Sequence, residues 1–232
     1  MGVPFQVPPD RPRALLLGGG LGIPPMIFLA RWLMQKGERV SHATNPSLNN
    51  RQQPIDSHED SDRRELVSAA LGQETPFQAT AHEPLLLMGS EIPFPFDLCS
   101  SRIPVSLPDG VTAAMAPMEA LGIPSRLASG RGYPGSFQGF VTELAELWLR
   151  TQPSSTYREI ALYACGPEPM LRATANLARR YDLPCQVCLE EFMACGVGAC
   201  AGCVVPVTTP TGVAMKRVCV DGPVFHARDV FL

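Results

Sequence analysis

The sequence predicts an α/β protein, a parallel sheet covered by helices, followed by a small C-terminal module built around cysteines. Three observations predict it. Short continuous apolar runs at Ala14–Gly18, Pro84–Met88 and Glu159–Ala164 have the character of strands buried on both faces, as parallel strands are. Segments with helical periodicity lie between such runs, so strands alternate with helices. Beyond residue 189 this alternation stops, and Cys195, Cys200, Cys203 and Cys219 crowd into a short glycine-rich region.

The bulk properties agree with one large domain or a domain with an appendage. The chain has 232 residues, 45% of them hydrophobic, and a formal net charge of −3. That charge argues against a nucleic-acid footprint. Eight cysteines are too few for a disulfide scaffold of this length, and the spacing of four of them suits a reducing compartment. Met1–Asp10 lacks the charged and apolar regions of a signal peptide. Ala14–Leu33 is apolar but broken by glycines and by Pro24-Pro25, and it carries Arg31, so it makes a poor membrane span. A soluble cytoplasmic protein with no nucleic-acid or membrane partner is expected.

Taken in order, Ala14–Gly18 reads as the first buried strand. It runs into Gly18-Gly19-Gly20-Leu21-Gly22-Ile23-Pro24-Pro25 and then a helical segment from Met26 to about Lys36, ended by Gly37. Strand, glycine turn and helix open a nucleotide-binding unit. Gly20 and Gly22 fit the G-x-G-x-x-G fingerprint, while Pro25 takes the third place. Proline is compatible with the first turn of a helix, whose N-terminus can still face a phosphate. Residues 41–83 are rich in Asn, Gln, Ser and charge and read as a disordered insertion with one short helix near Leu66–Leu71. His42, His58 and His82 are expected to be solvated loop residues. Pro84–Met88 is the next strand. Glu91 follows it and, with the insertion removed, sits at about the separation expected of a ribose-binding acidic residue.

Ile92–Asp109 reads as a proline-rich loop in which Cys99 has no role, Val111–Leu121 as a helix, and Pro124–Ser129 as a third strand. An amphipathic helix is expected through Leu149. After the strand at Glu159–Ala164 come Cys165-Gly166-Pro167 and a helix from about Met170 to Tyr181. Gly20, Glu91 and Cys165 then all fall at the carboxyl ends of parallel strands, where ligands of such sheets bind. Pro184–Leu189 is the last strand of this domain. Cys185 and Cys188 should point to its opposite faces and so are not a disulfide pair.

Cys195-x₄-Cys200-x₂-Cys203, closed by the distant Cys219, is the spacing of plant-type [2Fe–2S] sites. Two irons need four thiolates, and Gly196, Gly198 and Gly202 suit the tight loop that must fold over them. A structural zinc site is the alternative, although zinc ribbons usually show two separated C-x₂-C knuckles. Val204–Val207 and Met215–Cys219 suggest a hairpin that returns the fourth cysteine.

Four motifs together carry a family resemblance: Gly18–Pro25, Cys165–Met170, Leu189–Cys203 and Lys216–Phe225. In this order they are similar to the electron-transfer subunit of class 1B dihydroorotate dehydrogenase, within the ferredoxin–NADP reductase superfamily. The resemblance implies an N-terminal FAD-binding barrel, a parallel-sheet NAD-binding domain of ferredoxin reductase type and a C-terminal [2Fe–2S] domain. It assigns residues 1–12 to the end of the FAD domain, 13–189 to the NAD domain and 190–232 to the cluster domain. It implies cluster ligands Cys195, Cys200, Cys203 and Cys219, a pyrophosphate lined by Gly19, Gly20 and Gly22, and Cys165 and Gly166 near the nicotinamide. The implied partner is an FMN-containing dihydroorotate dehydrogenase subunit in a hetero-oligomer, a heterotetramer, with electrons passing through the cluster and FAD to NAD in pyrimidine biosynthesis. Dihydroorotate chemistry is expected in that partner, and no residue here is expected to be catalytic. The sequence departs from the family in lacking most of the barrel and its flavin motif, so low FAD content is expected of the chain alone. A reductase subunit of sulfide dehydrogenase or hydrogenase type, or a non-enzymatic zinc- or NAD-binding module, are the competing readings.

Overall fold

The computed structural model describes residues 2–43 and 82–231. The expected insertion, with its short helix and His58, lies almost wholly outside them. In chain order the elements begin with β1 (Arg13–Gly19), a 3-10 turn (Gly20–Gly22), α1 (Ile23–Ala43) and β2 (Glu83–Gly89). Then come β3 (Leu98–Ser100), β4 (Ala113–Met115), α2 (Ala116–Ala120) and β5 (Ser125–Ala128). These are followed by α3 (Val141–Thr151), β6 (Ile160–Cys165), α4 (Glu168–Arg180) and β7 (Cys185–Cys188). The C-terminal region holds β8 (Val204–Thr209), β9 (Gly212–Arg217), α5 (Val218–Asp221), β10 (Val224–His226) and α6 (Ala227–Val230).

Six strands form one sheet in the order β10-β7-β6-β1-β2-β5, parallel except for β10 against β7. Alternation along β1 divides the core in two. Leu15 and Leu17 face the layer of α3 and α4 with Leu144, Trp148 and Leu171, whereas Ala14 and Leu16 face α1 with Met26, Ala30 and Leu33. Helices on both faces explain why these strands are apolar at every position. The chain runs outward from β1 through β2 to β5, then returns to β6 on the other side of β1. The carboxyl ends of β1 and β6 therefore flank the point where strand order reverses, the position of ligand crevices in such sheets. Among the described residues, no helix is long and apolar enough to cross a membrane.

Besides His42 within α1 and the strand Leu98–Ser100, both expected in loops, the structure differs from expectation in three places. Helix α1 continues through Gly37 to Ala43, because a single interior glycine costs only about 1 kcal/mol. Val111–Leu121 is not one helix: Ala113–Met115 pairs antiparallel with β3, all three residues are buried, and only the short α2 follows. Third, the C-terminal tail returns to the large sheet. β10 pairs with β7, and Cys203, Val205, Val207, Val218, Ala227 and Phe231 share a core with α3 and α4. The two regions are joined by continuous packing.

Buried Arg126 organises the segment around β3. Its guanidinium donates to the carbonyl oxygens of Val111, Ser125 and Ile103 at 3.1, 2.7 and 2.7 Å. Glu119 ties down the other side, accepting from Ser101 Oγ at 2.8 Å and from the Arg102 amide at 2.6 Å. Burial pushes the Glu119 carboxyl up, but these donors, the Ile103 amide and the charge of Arg126 outweigh it and leave it below its ordinary value. A carboxyl depressed in the folded state stabilises above its unfolded pKa of about 4.3, and loses that contribution as pH falls through the folded value. Wild type is therefore expected to melt above Glu119→Gln at neutral pH, with the gap closing on acidification below about pH 4.3. Thermal melts of both proteins over this range check it.

Candidate functional site

A cleft of about 550 Å³ opens at the carboxyl edge of the sheet. Gly19 and Gly20 form one wall, Ser90 and Glu91 beyond β2 another, and Phe140, Val141, Pro167 and Met170 supply an apolar lining. Gly20 has φ +53°, and a side chain there would point into open space, so the turn leaves its backbone accessible. Gly19 is tight for a different reason: a Cβ would lie 2.5 Å from Met170 Sδ. The turn feeds directly into α1, whose first turn carries no acidic side chain and, with Pro24 and Pro25 in it, offers amide N–H groups only at Ile23 and Met26. A long apolar slot with a glycine turn and helix N-terminus at one end can hold a dinucleotide.

Glu91 lines this cleft. Its carboxylate accepts from the Gly130 amide at 3.2 Å and faces Arg131 at 3.9 Å. Gly22, Cys165 and Gly166 sit behind the cleft wall. A Cβ on Gly22 would fall 2.0 Å from the Cys165 carbonyl oxygen and 2.4 Å from the Gly166 nitrogen. A Cβ on Gly166 would lie 2.9 Å from the Gly19 carbonyl oxygen. The two loops thus pack backbone against backbone, and Cys165 is only 1% exposed. Gly22 is required for that approach, and it does not line the cleft.

The cysteine loop folds through left-handed backbone at Gly196, Gly198 and Ala201, with φ +66°, +81° and +53°. Gly202 is not left-handed, and its amide donates to Cys200 Sγ at 3.4 Å. Further amides converge on the sulfurs: Cys200 N–H on Cys195 Sγ at 3.4 Å and Cys219 N–H on Cys203 Sγ at 3.5 Å. The Cys200, Val197 and Ala199 amides, with the Cys200 thiol, pull the Cys195 thiol down to about 6. Cys203 is likewise lowered, first by the Cys219 amide, while Cys219 is raised by sharing a hydrogen bond with Cys203. A loop that aims amides at sulfur prepares thiolates, the ligand form.

The thiols associate as two pairs, Cys195 with Cys200 and Cys203 with Cys219. Among the described residues no three His, Cys, Asp or Glu side chains converge on one ion-sized centre. Four thiols on one loop and the turn beside it are the number of thiolates that a two-iron cluster needs. Arg217 holds the pairs together in a way the spacing did not disclose. It donates to the Gly198 carbonyl oxygen at 3.1 Å and to Asp221 Oδ2 at 3.1 Å, joining the loop to the turn that carries Cys219. Ala201 was also missed, because alanine carries no sequence signal for left-handed backbone. Phe192, Met193 and Val197 beside the loop are 96%, 50% and 76% exposed.

Residues 190–231 match the iron–sulfur cluster binding domain of dihydroorotate dehydrogenase B. The whole chain aligns, at 30% identity over 232 residues, with the electron transfer subunit of dihydroorotate dehydrogenase B (NAD⁺) from Bacillus caldolyticus, covering 62% of that protein. The corresponding subunit of Caldanaerobacter subterraneus subsp. tengcongensis is 51% identical over 69 residues, 30% of this chain and 28% of that one. The fold is similar to a solved structure of NADH-dependent reduced ferredoxin–NADP oxidoreductase, with TM-score 0.54 and 17% identity over 99% of this chain and 57% of the other. The chain spans 62% or less of the length of these relatives. It is similar along its full length to the electron transfer subunits of dihydroorotate dehydrogenase B, and the similarity includes the iron–sulfur binding domain of those proteins.

Proposed function

We propose that this chain is an electron-transfer oxidoreductase subunit that passes electrons between a dihydroorotate dehydrogenase catalytic subunit and NAD in the cytoplasm. The observation that carries the reading is the continuity of one folded core between the switch-point cleft and the paired-thiol loop. When bound, a [2Fe–2S] cluster supplies one-electron storage and NAD supplies hydride chemistry, with FAD as the usual adapter between them.

The chain's own residues bind and orient. Cys195, Cys200, Cys203 and Cys219 are the ligands, and the amides around them stabilise charge on sulfur. Gly19 and Gly20 present backbone to a pyrophosphate, Glu91 offers a carboxylate oxygen to a ribose hydroxyl, and Gly22, Cys165 and Gly166 hold the turn in place from behind. Phe192, Met193 and Val197 form an apolar surface beside the ligands, suited to an FMN-containing catalytic partner in a hetero-oligomer. Dihydroorotate itself is oxidised in that partner, since the reading gives this chain no proton-transfer residue for it.

The test is reconstitution. Cluster-loaded chain, mixed with a purified catalytic subunit and FAD, should support dihydroorotate-dependent reduction of NAD⁺ that neither chain supports alone. The same rate without this chain would overturn the proposal.

A further inference from the structure

Cys165 and Cys188 end adjacent parallel strands and are direct partners in the register of β6 and β7. Both lie on the α1 side of the sheet, whereas Cys185 lies in the opposite core. Neighbouring strands are about 4.8 Å apart, inside the Cα separation that a disulfide accepts. Cys165 Sγ donates to Glu190 Oε1 at 3.9 Å, and Cys188 is its neighbour across the two strands. Cys165 is buried but Cys188 is partly exposed and Glu190 is exposed. A reachable sulfur, a second sulfur behind it and a carboxylate beside that second sulfur are the parts of an oxidisable dithiol.

We propose that Cys165 and Cys188 form a peroxide-oxidisable thiol pair that closes to a cross-strand disulfide beneath the glycine turn. The neighbouring Cys165 thiol holds the Cys188 thiol below its ordinary value, while Cys188 and burial hold Cys165 above its own. Attack of the Cys188 thiolate on a hydroperoxide breaks the O–O bond and leaves a sulfenic acid, and the departing hydroxide or alkoxide takes a proton from solvent to become water or alcohol. Cys165 then attacks the sulfenic sulfur as its proton passes to Glu190. The S–O bond breaks, and the hydroxide leaves as water on taking up that proton. The two thiols lose two electrons and the hydroperoxide gains them. Because the Cys165 carbonyl packs against Gly22, the new bond would tie the end of β6 and the entry to the cluster region to the floor of the cleft.

The experiment treats anaerobically prepared, cluster-loaded full chain with hydrogen peroxide, blocks free thiols, and maps peptides without reduction. The expected product is a Cys165–Cys188 linked peptide pair that dithiothreitol reverses. Cys188→Ser should remove it, Cys185→Ser should leave it, and Glu190→Gln should slow its formation several-fold. Should Cys188→Ser fail to fold, the wild-type map still decides. Sulfinic acid on Cys188 without linkage, or a link through Cys185, would overturn the proposal.

Discussion

Cys200→Ser is expected to abolish the visible chromophore of anaerobically purified protein, with little change in the fold around it. Cys200 is exposed and sits on a loop, so exchanging sulfur for oxygen leaves the core untouched. Its loss would leave three of the four thiolates that a two-iron cluster needs. Cys99→Ser is the control: Cys99 lies on β3, away from the loop in sequence and outside the paired thiols, and its variant should keep the spectrum. Cys185→Ser should keep it also, since Cys185 is buried in the sheet on β7. Loss of colour in either control, or an unchanged spectrum in Cys200→Ser, would mean that the ligand set is wrong.

Gly22→Ala is expected to destabilise the protein by about 4 kcal/mol or more, at the far end of single-substitution effects. The added methyl would meet the Cys165 carbonyl oxygen at 2.0 Å and its carbon at 2.1 Å. Both obstacles are backbone of a central strand, so neither can swing aside. Gly20→Ala, two residues earlier, has open space and faces only the left-handed backbone penalty, about 1–2 kcal/mol. Urea unfolding of the two variants separates the explanations. Equal losses would show that conformational freedom, and not close approach to β6, is what the turn needs from its glycines.

Much of this architecture was legible because the physics is local. Leu15–Leu17 and Leu85–Leu87 are unbroken apolar runs that suit a doubly covered parallel strand, and the helix after Gly22 follows from periodicity. The cysteine spacing was legible for the same reason, since three thiols on one loop leave few chemistries to choose from. What failed was non-local. Ala113–Met115 has helix-forming residues, yet pairing with β3 and full burial overrode that propensity. β10 is three residues long and finds its partner, β7, across the whole cysteine module. The close approach of Gly22 to Cys165 is another such contact, since it depends on a strand more than a hundred residues away in sequence. Arg217 carries no motif signal, and its role emerges only once Gly198 and Asp221 are folded around it.

The central claim, that four thiols arranged as two pairs hold a two-iron cluster, is tested most directly by metal and sulfide analysis with electron paramagnetic resonance on anaerobically purified chain. About two iron and two acid-labile sulfide per chain are predicted, with a one-electron paramagnetic signal appearing on dithionite reduction. Colourless protein carrying about one zinc per chain would contradict it.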